Sequence, residues 1–132
     1  MKPIKLELMG LNSYTDKQAI DFEKLTSRGL FGIFGNTGSG KSTILDAITI
    51  ALYGDISRDT TDYINTSSDK AVVKFEFEIG SKNNRNRYFV ERTIKNTPTG
   101  GTKTTRVLLG EIKCDGNINV LADKVGEVKN KI

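Results

Sequence analysis

Eight consecutive residues, from Gly35 to Ser42, have types and spacing that suit the binding of a phosphate group. Their sequence, GNTGSGKS, fits the pattern G-x-x-x-x-G-K-[ST], known as Walker A. The glycines allow the backbone to curl so that successive N–H groups point at phosphate oxygens, and a helix that follows adds its N-terminal dipole. We therefore expect the backbone from Asn36 to Thr43 to hold nucleotide phosphates.

Two side chains of the motif have chemistry of their own. Lys41 would place its ammonium on the β- and γ-phosphates as the catalytic residue, and the Ser42 hydroxyl would ligate Mg²⁺. The alternative is a glycine-rich turn with a solvated lysine, but the pattern arises by chance in only about 0.5% of chains of this length. The residues predicted to bind nucleotide are Gly35, Asn36, Thr37, Gly38, Ser39, Gly40, Lys41, Ser42 and Thr43.

The elements around the motif support this interpretation. Residues Gly29–Phe34 form a short apolar run bounded by glycines, typical of a strand buried on both faces. From Ser42 to Tyr53 the apolar residues recur at helical spacing, and Gly54 is a plausible stop. Strand, glycine-rich loop and helix occur in the order that a phosphate-binding loop requires.

The rest of the chain alternates apolar and polar residues, as half-buried strands do. We expect a first strand around Ile4–Leu8, a weak second strand around Ala19–Phe22 and, after a loop over Asp55–Lys70, a strand around Val73–Ile79. Arg87–Lys95 and Thr105–Cys114 complete an antiparallel meander, with turns near Asn83 and Gly100, and Cys114 would be a buried apolar residue of its strand. Apolar residues at helical spacing, Leu121, Val125, Val128 and Ile132, then indicate a last helix. The predicted fold class is α/β, a mixed sheet around the helix of the phosphate loop with an antiparallel meander on one side.

Composition excludes several classes of site. The 132 residues include no histidine and one cysteine, which excludes a Ser-His-Asp triad, histidine-ligated zinc, a Cys-cluster metal site and an internal disulfide. The first ten residues lack the apolar run of a secretory signal, and no apolar stretch is long enough to cross a bilayer. We expect a cytoplasmic protein without a membrane partner.

The parts needed for hydrolysis are missing from the sequence. Hydrolysis by a protein with a Walker A motif requires a second strand of four apolar residues that ends in Asp or Asp-Glu. The nearest candidate, Val107–Glu111, is interrupted by Gly110 and is better interpreted as a meander strand. Gln18, the only glutamine, precedes the phosphate loop. The sequence therefore holds half of an ATPase site.

Two segments carry a resemblance to a known family. IKLELMGLNSYTDKQAIDF from Ile4 and GLFGIFGNTGSGKSTILDAITIALYG from Gly29 resemble the start of the SbcC family, the ATPase subunits of bacterial SbcCD exonucleases. This family lies in the SMC-like branch of the ABC-type ATPases. LADKV, from Leu121, is also similar to the stretch that precedes the family's Q-loop.

The resemblance implies a divided ATPase head. Family members carry Walker A at the N-terminus and the signature motif, Walker B and switch histidine at the C-terminus, with a coiled coil between them. Residues 1–132 would be the N-terminal lobe of the head, a single domain that ends before the Q-loop. The implied ligands and partners are ATP with Mg²⁺, the protein's own C-terminal lobe and coiled coil, a second head in a homodimer, an SbcD-type nuclease and DNA in the nucleoid. Asn12 and Ser13 would lie beside the nucleotide phosphates.

The segment from Gly80 to Arg106 concentrates positive charge. This segment contains seven basic residues and one acidic residue. Each Lys or Arg that contacts a DNA phosphate releases counterions, which favours binding. We expect the hairpin loops near Asn83 and Gly100 to contact the DNA backbone, with Lys82, Arg85 and Arg87 as candidates. The alternative is a solvated hairpin with ordinary surface charge. Tyr88 and Phe89 are either base-stacking platforms or core residues.

Two other functions remain open. The chain could come from another SMC-like ATPase, of the RecF or RecN type or a chromosome-organising protein. A small phosphate-loop kinase is the more distant alternative, because it would need an arginine-rich lid and a downstream acid on a strand, and neither is visible.

Overall fold

The computed structural model describes residues 1–27, 32, 34–35, 41–54 and 63–132 of the chain. It contains nine elements in the described residues. In chain order they are β1 (Lys2–Met9), β2 (Gln18–Asp21), α1 (Phe22–Leu25), α2 (Lys41–Tyr53), β3 (Lys70–Ser81), β4 (Asn84–Asn96), β5 (Thr102–Ile112), β6 (Ile118–Ala122) and α3 (Val125–Lys131).

The six strands form one sheet in the order β2-β1-β3-β4-β5-β6. Every ladder among the described residues is antiparallel, and β3 to β6 follow one another as hairpins, which confirms the predicted meander. The strand predicted over Gly29–Phe34 lies outside the described residues except at Gly32 and Phe34. The described strands therefore show the antiparallel part of the predicted mixed sheet and no parallel pair.

One face of the sheet carries the core. Alternate residues of each long strand are buried on it, because successive side chains of a strand point to opposite faces, and α2 packs across them. Each large apolar side chain removed from water in this way stabilises the fold by about 1.5–3 kcal/mol. The buried core residues include Leu6 and Leu8 of β1, Val73, Phe75 and Phe77 of β3, Val90 and Ile94 of β4, and Ala47, Ile50 and Ala51 of α2.

The opposite face of the sheet is charged and held by ion pairs. Glu7 Oε1 lies 3.1 Å from Lys5 Nζ and 3.7 Å from Lys17 Nζ. Burial disfavours the Glu7 carboxylate, but the hydrogen bond and charge of Lys5, helped by Lys17 and Lys74, lower its pKa below the ordinary value. The same bond to Glu7 raises the pKa of Lys5.

The structure corrects the prediction for Cys114. The fifth strand ends at Ile112, and Cys114 is exposed in the turn that follows. Gly116 has a φ of 86°, and the Asp115 carboxylate accepts a hydrogen bond from the Asn117 backbone N–H at 2.9 Å, which is typical turn chemistry.

Two other boundaries differ from the predictions. Leu121 lies in the edge strand β6, so the last helix begins at Val125 rather than four residues earlier. The segment predicted as a loop over Asp55–Lys70 contains two core residues, because Tyr63 and Ile64 are buried and Ile64 forms an isolated bridge with Leu11. In the described ranges, none of the helices has the length and apolar character needed to cross a membrane.

Candidate functional site

Helix α2 spans Lys41–Tyr53, which agrees with the helix predicted from Ser42 to Tyr53 to within one residue. Ser42 is exposed and Thr43 is buried in its first turn. That turn contains no acidic residue, so the partial positive charge of the helix N-terminus is not offset from within the turn. This end of the helix suits an anion. The prediction for residues 36–40 lies outside the described residues.

A tight turn brings the end of β1 to this helix. Gly10 has a φ of 73°, and its N–H donates to the carbonyl of Tyr14 at 2.7 Å. A Cβ at Gly10 would lie 2.2 Å from the carbonyl oxygen of Lys70. Glycine is therefore required here both by the backbone conformation and by the close approach of β3.

Asn12, at the tip of the turn, contacts the first turn of α2. Its side-chain Nδ2 donates to the Thr43 hydroxyl at 3.0 Å. The backbone of Asn12 has a φ of 48° and its N–H donates to the Tyr63 carbonyl at 2.7 Å, while Asn65 Nδ2 donates to the Asn12 carbonyl. Two predicted site residues from distant parts of the sequence are thus in direct contact. Ser13, the other predicted residue of this turn, is exposed.

A buried arginine at the other end of α2 was not predicted as a site residue. Arg92 of β4 is 1% exposed. Its Nε donates to the Ala51 carbonyl at 2.8 Å and its Nη2 to the Leu52 carbonyl at 3.2 Å. Burial lowers the pKa of Arg92, although a guanidinium keeps its proton in proteins. The sequence did contain a sign of this arginine. Arg92 occupies an alternate position of β4 between Val90 and Ile94, where an inward-facing apolar residue is expected.

The basic segment separates into two clusters at opposite ends of the sheet. One surrounds the β3–β4 turn, where Lys82 is exposed. There Arg87 Nη2 lies 3.0 Å from Glu78 Oε1 and 3.1 Å from Glu23 Oε1, and Arg85 lies 3.9 Å from Glu78. The positive charge of these two arginines is therefore partly neutralised by nearby carboxylates.

The second cluster is a row of lysines near the β4–β5 hairpin. Lys95 lies directly opposite Lys70 in one ladder and opposite Lys103 in the next. All three are exposed. Like charges directly opposite one another destabilise a sheet, and in the described part of the chain none of the three forms an ion pair. We call these residues the lysine row.

The two aromatic candidates for base stacking are packed instead. Phe89 is buried on the charged face beneath Lys74, whose Nζ lies 4.9 Å from the ring centroid. A Cβ at Gly110 would lie 2.5 Å from the Phe89 ring, so glycine makes room for it. Tyr88 packs against the core 6.0 Å from Phe77. Residues 107–111 lie within β5 and pair antiparallel with β4, so Val107–Glu111 is a meander strand, as predicted.

Comparison with known proteins supplies the family context. The family model described as AAA domain matches residues 5–130. The chain is 45% identical over 132 residues to the SbcC subunit of the SbcCD nuclease of Clostridium acetobutylicum, covering 99% of this chain and 11% of that protein. It is 45% identical over 135 residues to the SbcC subunit of Bacillus subtilis, covering 100% of this chain and 12% of that protein.

A further relative has a different name. The chain is 40% identical over 103 residues to a protein of Aquifex aeolicus described as a probable DNA double-strand break repair Rad50 ATPase, covering 74% of this chain and 10% of that protein. The resemblance to SbcC that the sequence indicated is confirmed. The chain spans about a tenth of the length of these relatives.

Proposed function

The chain belongs to the AAA domain family, and on that premise we propose that it binds Mg-ATP as one lobe of an ATPase head in a DNA-repair protein of the SbcC and Rad50 type. The observation that supports the proposal is that the last two residues of the Walker A motif, Lys41 and Ser42, lie in the first turn of α2. The Asn12–Thr43 contact, which brings the N-terminal turn to this helix, supports it.

Each part of the site has a role in the proposal. The backbone N–H groups over residues 36–43 hold the phosphate oxygens, and Lys41 neutralises charge on the β- and γ-phosphates. Asn12, which is fixed by Thr43 and by the Tyr63 carbonyl, would orient the same phosphates.

The residues at the start of α2 also fit a magnesium ion. Mg²⁺ in nucleotide sites takes few protein ligands and keeps several waters. Ser42 offers an exposed hydroxyl, and no carboxylate in the first turn competes for it. When bound, the ion would neutralise charge on the phosphates, and Ser42 is the residue of the first turn that we propose as its ligand.

Hydrolysis requires residues beyond this chain. We propose that they come from a C-terminal lobe of the same protein, joined through a coiled coil, and from a second head in a homodimer, with an SbcD-type nuclease as the partner that the heads control. Exposed apolar side chains of β6 and of the first residue of α3 suit packing against such a lobe. They are Ile118, Val120 and Val125. A cytoplasmic, nucleoid-associated location follows from this function.

We also propose that the charged face of the sheet contacts the DNA backbone. The lysine row keeps three like charges in register without a carboxylate partner in the described residues, an arrangement that a phosphate backbone would relieve. At the other end, Lys82, Arg85 and Arg87 remain candidates. The carboxylates beside the two arginines favour the lysine row as the larger contributor.

Thermal unfolding with and without Mg-ATP tests nucleotide binding. Binding to the native state alone stabilises it by about 2.7 kcal/mol when ATP is at a hundredfold excess over its Kd. We expect a rise in melting temperature that Lys41→Ala abolishes. Leu109→Ala, which alters a buried residue of β5, should keep the rise and is the control. A wild-type chain that unfolds cooperatively at an unchanged temperature would contradict binding by this lobe alone.

A further inference from the structure

Arg92 holds the end of α2 that lies farthest from the phosphate-binding residues. The last four carbonyls of a helix lack partners within the helix, and Arg92 binds two of those in α2, the carbonyls of Ala51 and Leu52. A third, that of Ile50, accepts the N–H of Gly54 at 2.7 Å. The C-terminal end of the helix is thus tied to β4 by a two-pronged contact.

The charge of Arg92 is unusual for so deep a position. Among the described residues no carboxylate pairs with it, and its Nη1 has no hydrogen-bond partner. The partial negative charge at the C-terminus of α2 is its compensation. Burying a charge without an ionic partner costs free energy that an apolar residue of similar volume would not cost, so packing alone does not explain an arginine here.

Gly54 makes room for this contact. It ends α2 with a φ of 84°, and a Cβ at this position would lie 3.3 Å from Nη1 and 3.5 Å from Cζ of Arg92. The guanidinium therefore lies against the helix end where a larger residue would displace it.

The two ends of α2 are mechanically linked. Its 13 residues make a rod about 20 Å long, with Lys41 and Ser42 at one end and the Arg92 contact at the other. A change in tilt at the C-terminal end moves the N-terminal end, and a misplacement of about 1 Å can reduce the efficiency of a site a hundredfold.

We propose that Arg92 is a positioning residue for the nucleotide site, which fixes the axis of α2 and so places Lys41 and Ser42 against the phosphates. The inference rests on the proposed nucleotide binding. It assigns a role in that site to a residue that lies at the opposite end of the helix and touches no nucleotide.

The test compares Arg92→Met, Arg92→Lys and Leu109→Ala in the 132-residue chain, at a temperature where circular dichroism shows every variant folded. Methionine keeps the apolar length of the side chain without the charge. Lysine keeps the charge but lacks the planar guanidinium that donates to two carbonyls at once. Leu109 is buried on β5 and lines a cleft with Leu121 and Ile132, so Leu109→Ala disturbs the core away from α2. We expect Mg-ATP to bind about tenfold more weakly to Arg92→Met, at an intermediate affinity to Arg92→Lys, and normally to Leu109→Ala.

A second measurement needs no nucleotide. The backbone amide resonances of Thr43 and Ile44, in the first turn of α2, should shift in Arg92→Met and stay in place in Leu109→Ala. Unshifted resonances, or unchanged affinity in Arg92→Met, would overturn the proposal and leave Arg92 a core residue. If the wild-type chain itself fails to bind Mg-ATP, the proposed function is wrong, and the resonances still decide whether Arg92 sets the position of the helix.

Discussion

The side-chain amide of Asn12 donates a hydrogen bond to the hydroxyl of Thr43, 3.0 Å away across 31 positions of sequence. This bond joins the turn after β1 to the first turn of α2. Asn12 has a φ of 48°, a conformation that asparagine tolerates better than most residues. One residue thus provides both the turn and the contact.

A double-mutant cycle measures this contact. Asn12→Gly removes the amide and keeps the left-handed backbone accessible, and Thr43→Val removes the hydroxyl at similar volume. We expect a coupling energy of about 1 kcal/mol in urea unfolding, together with weaker Mg-ATP binding by Asn12→Gly. Additive effects of the two changes would show that the bond contributes nothing to the free energy of unfolding.

Gly10 and Gly100 separate steric from conformational effects. Both have positive φ, 73° and 89°, but a Cβ at Gly10 would lie 2.2 Å from the Lys70 carbonyl oxygen, whereas at Gly100 no described atom lies within 4 Å. Gly100→Ala should therefore lose about 1–2 kcal/mol of stability, the cost of the left-handed backbone. Gly10→Ala adds the collision with β3 and should lose at least about 3 kcal/mol. Equal losses, measured by chemical denaturation, would be inconsistent with the close approach of the two backbones.

The lysine row should show opposite effects on stability and on DNA binding. Lys95→Thr removes the central charge of three in register, so we expect a gain of about 0.5 kcal/mol in stability. The same change should reduce the salt slope of DNA binding by about one. Arg85→Thr, an equal change of net charge at the candidate contact beside Glu78, is the comparison and should reduce the slope less. A greater loss of slope in Arg85→Thr would move the contact to the β3–β4 turn.

Glu7 should make stability depend on acid pH. Its pKa is lower in the folded chain than its usual 4.5 because of Lys5, Lys17 and Lys74, so its stabilisation is present above pH 4.5 and is lost as the pH falls through the folded value. At neutral pH the free energy of unfolding of the wild type should exceed that of Glu7→Gln by up to about 1 kcal/mol. This difference should disappear at acid pH. High salt should shrink the difference at neutral pH. A constant difference across this range would exclude the titration of Glu7 as its source.

Periodicity predicted most of the elements that position the site. The helix after the glycine-rich motif, the strand before the Asn12 turn and the three long strands of the meander were all recoverable, because each has a clear apolar period. The edge strand β6 could not be predicted in this way, since it is only five residues long and its last three residues, Val120 to Ala122, are all apolar. The structure also shows Leu121 in that strand, although its spacing to Val125 suggested a helix.

Contacts between residues that are distant in the sequence could not be predicted. The pattern placed Thr43 at the phosphate loop, and the resemblance placed Asn12 beside it, but neither revealed that Tyr63 and Asn65 fix the Asn12 backbone. Arg92 was counted only as part of a basic segment. Its burial depends on two carbonyls 40 positions and more earlier in the chain, a pairing that no local pattern encodes.

The order of the strands also has a consequence for how the chain matures during synthesis. A protein folds from its N-terminus as it is made, and α2 emerges well before β3 and β4, the strands it packs against. The meander joins neighbours in sequence, so its hairpins can form quickly once made. Helix α2 is therefore synthesised early, but it can pack against the sheet only after β3 and β4 have been made.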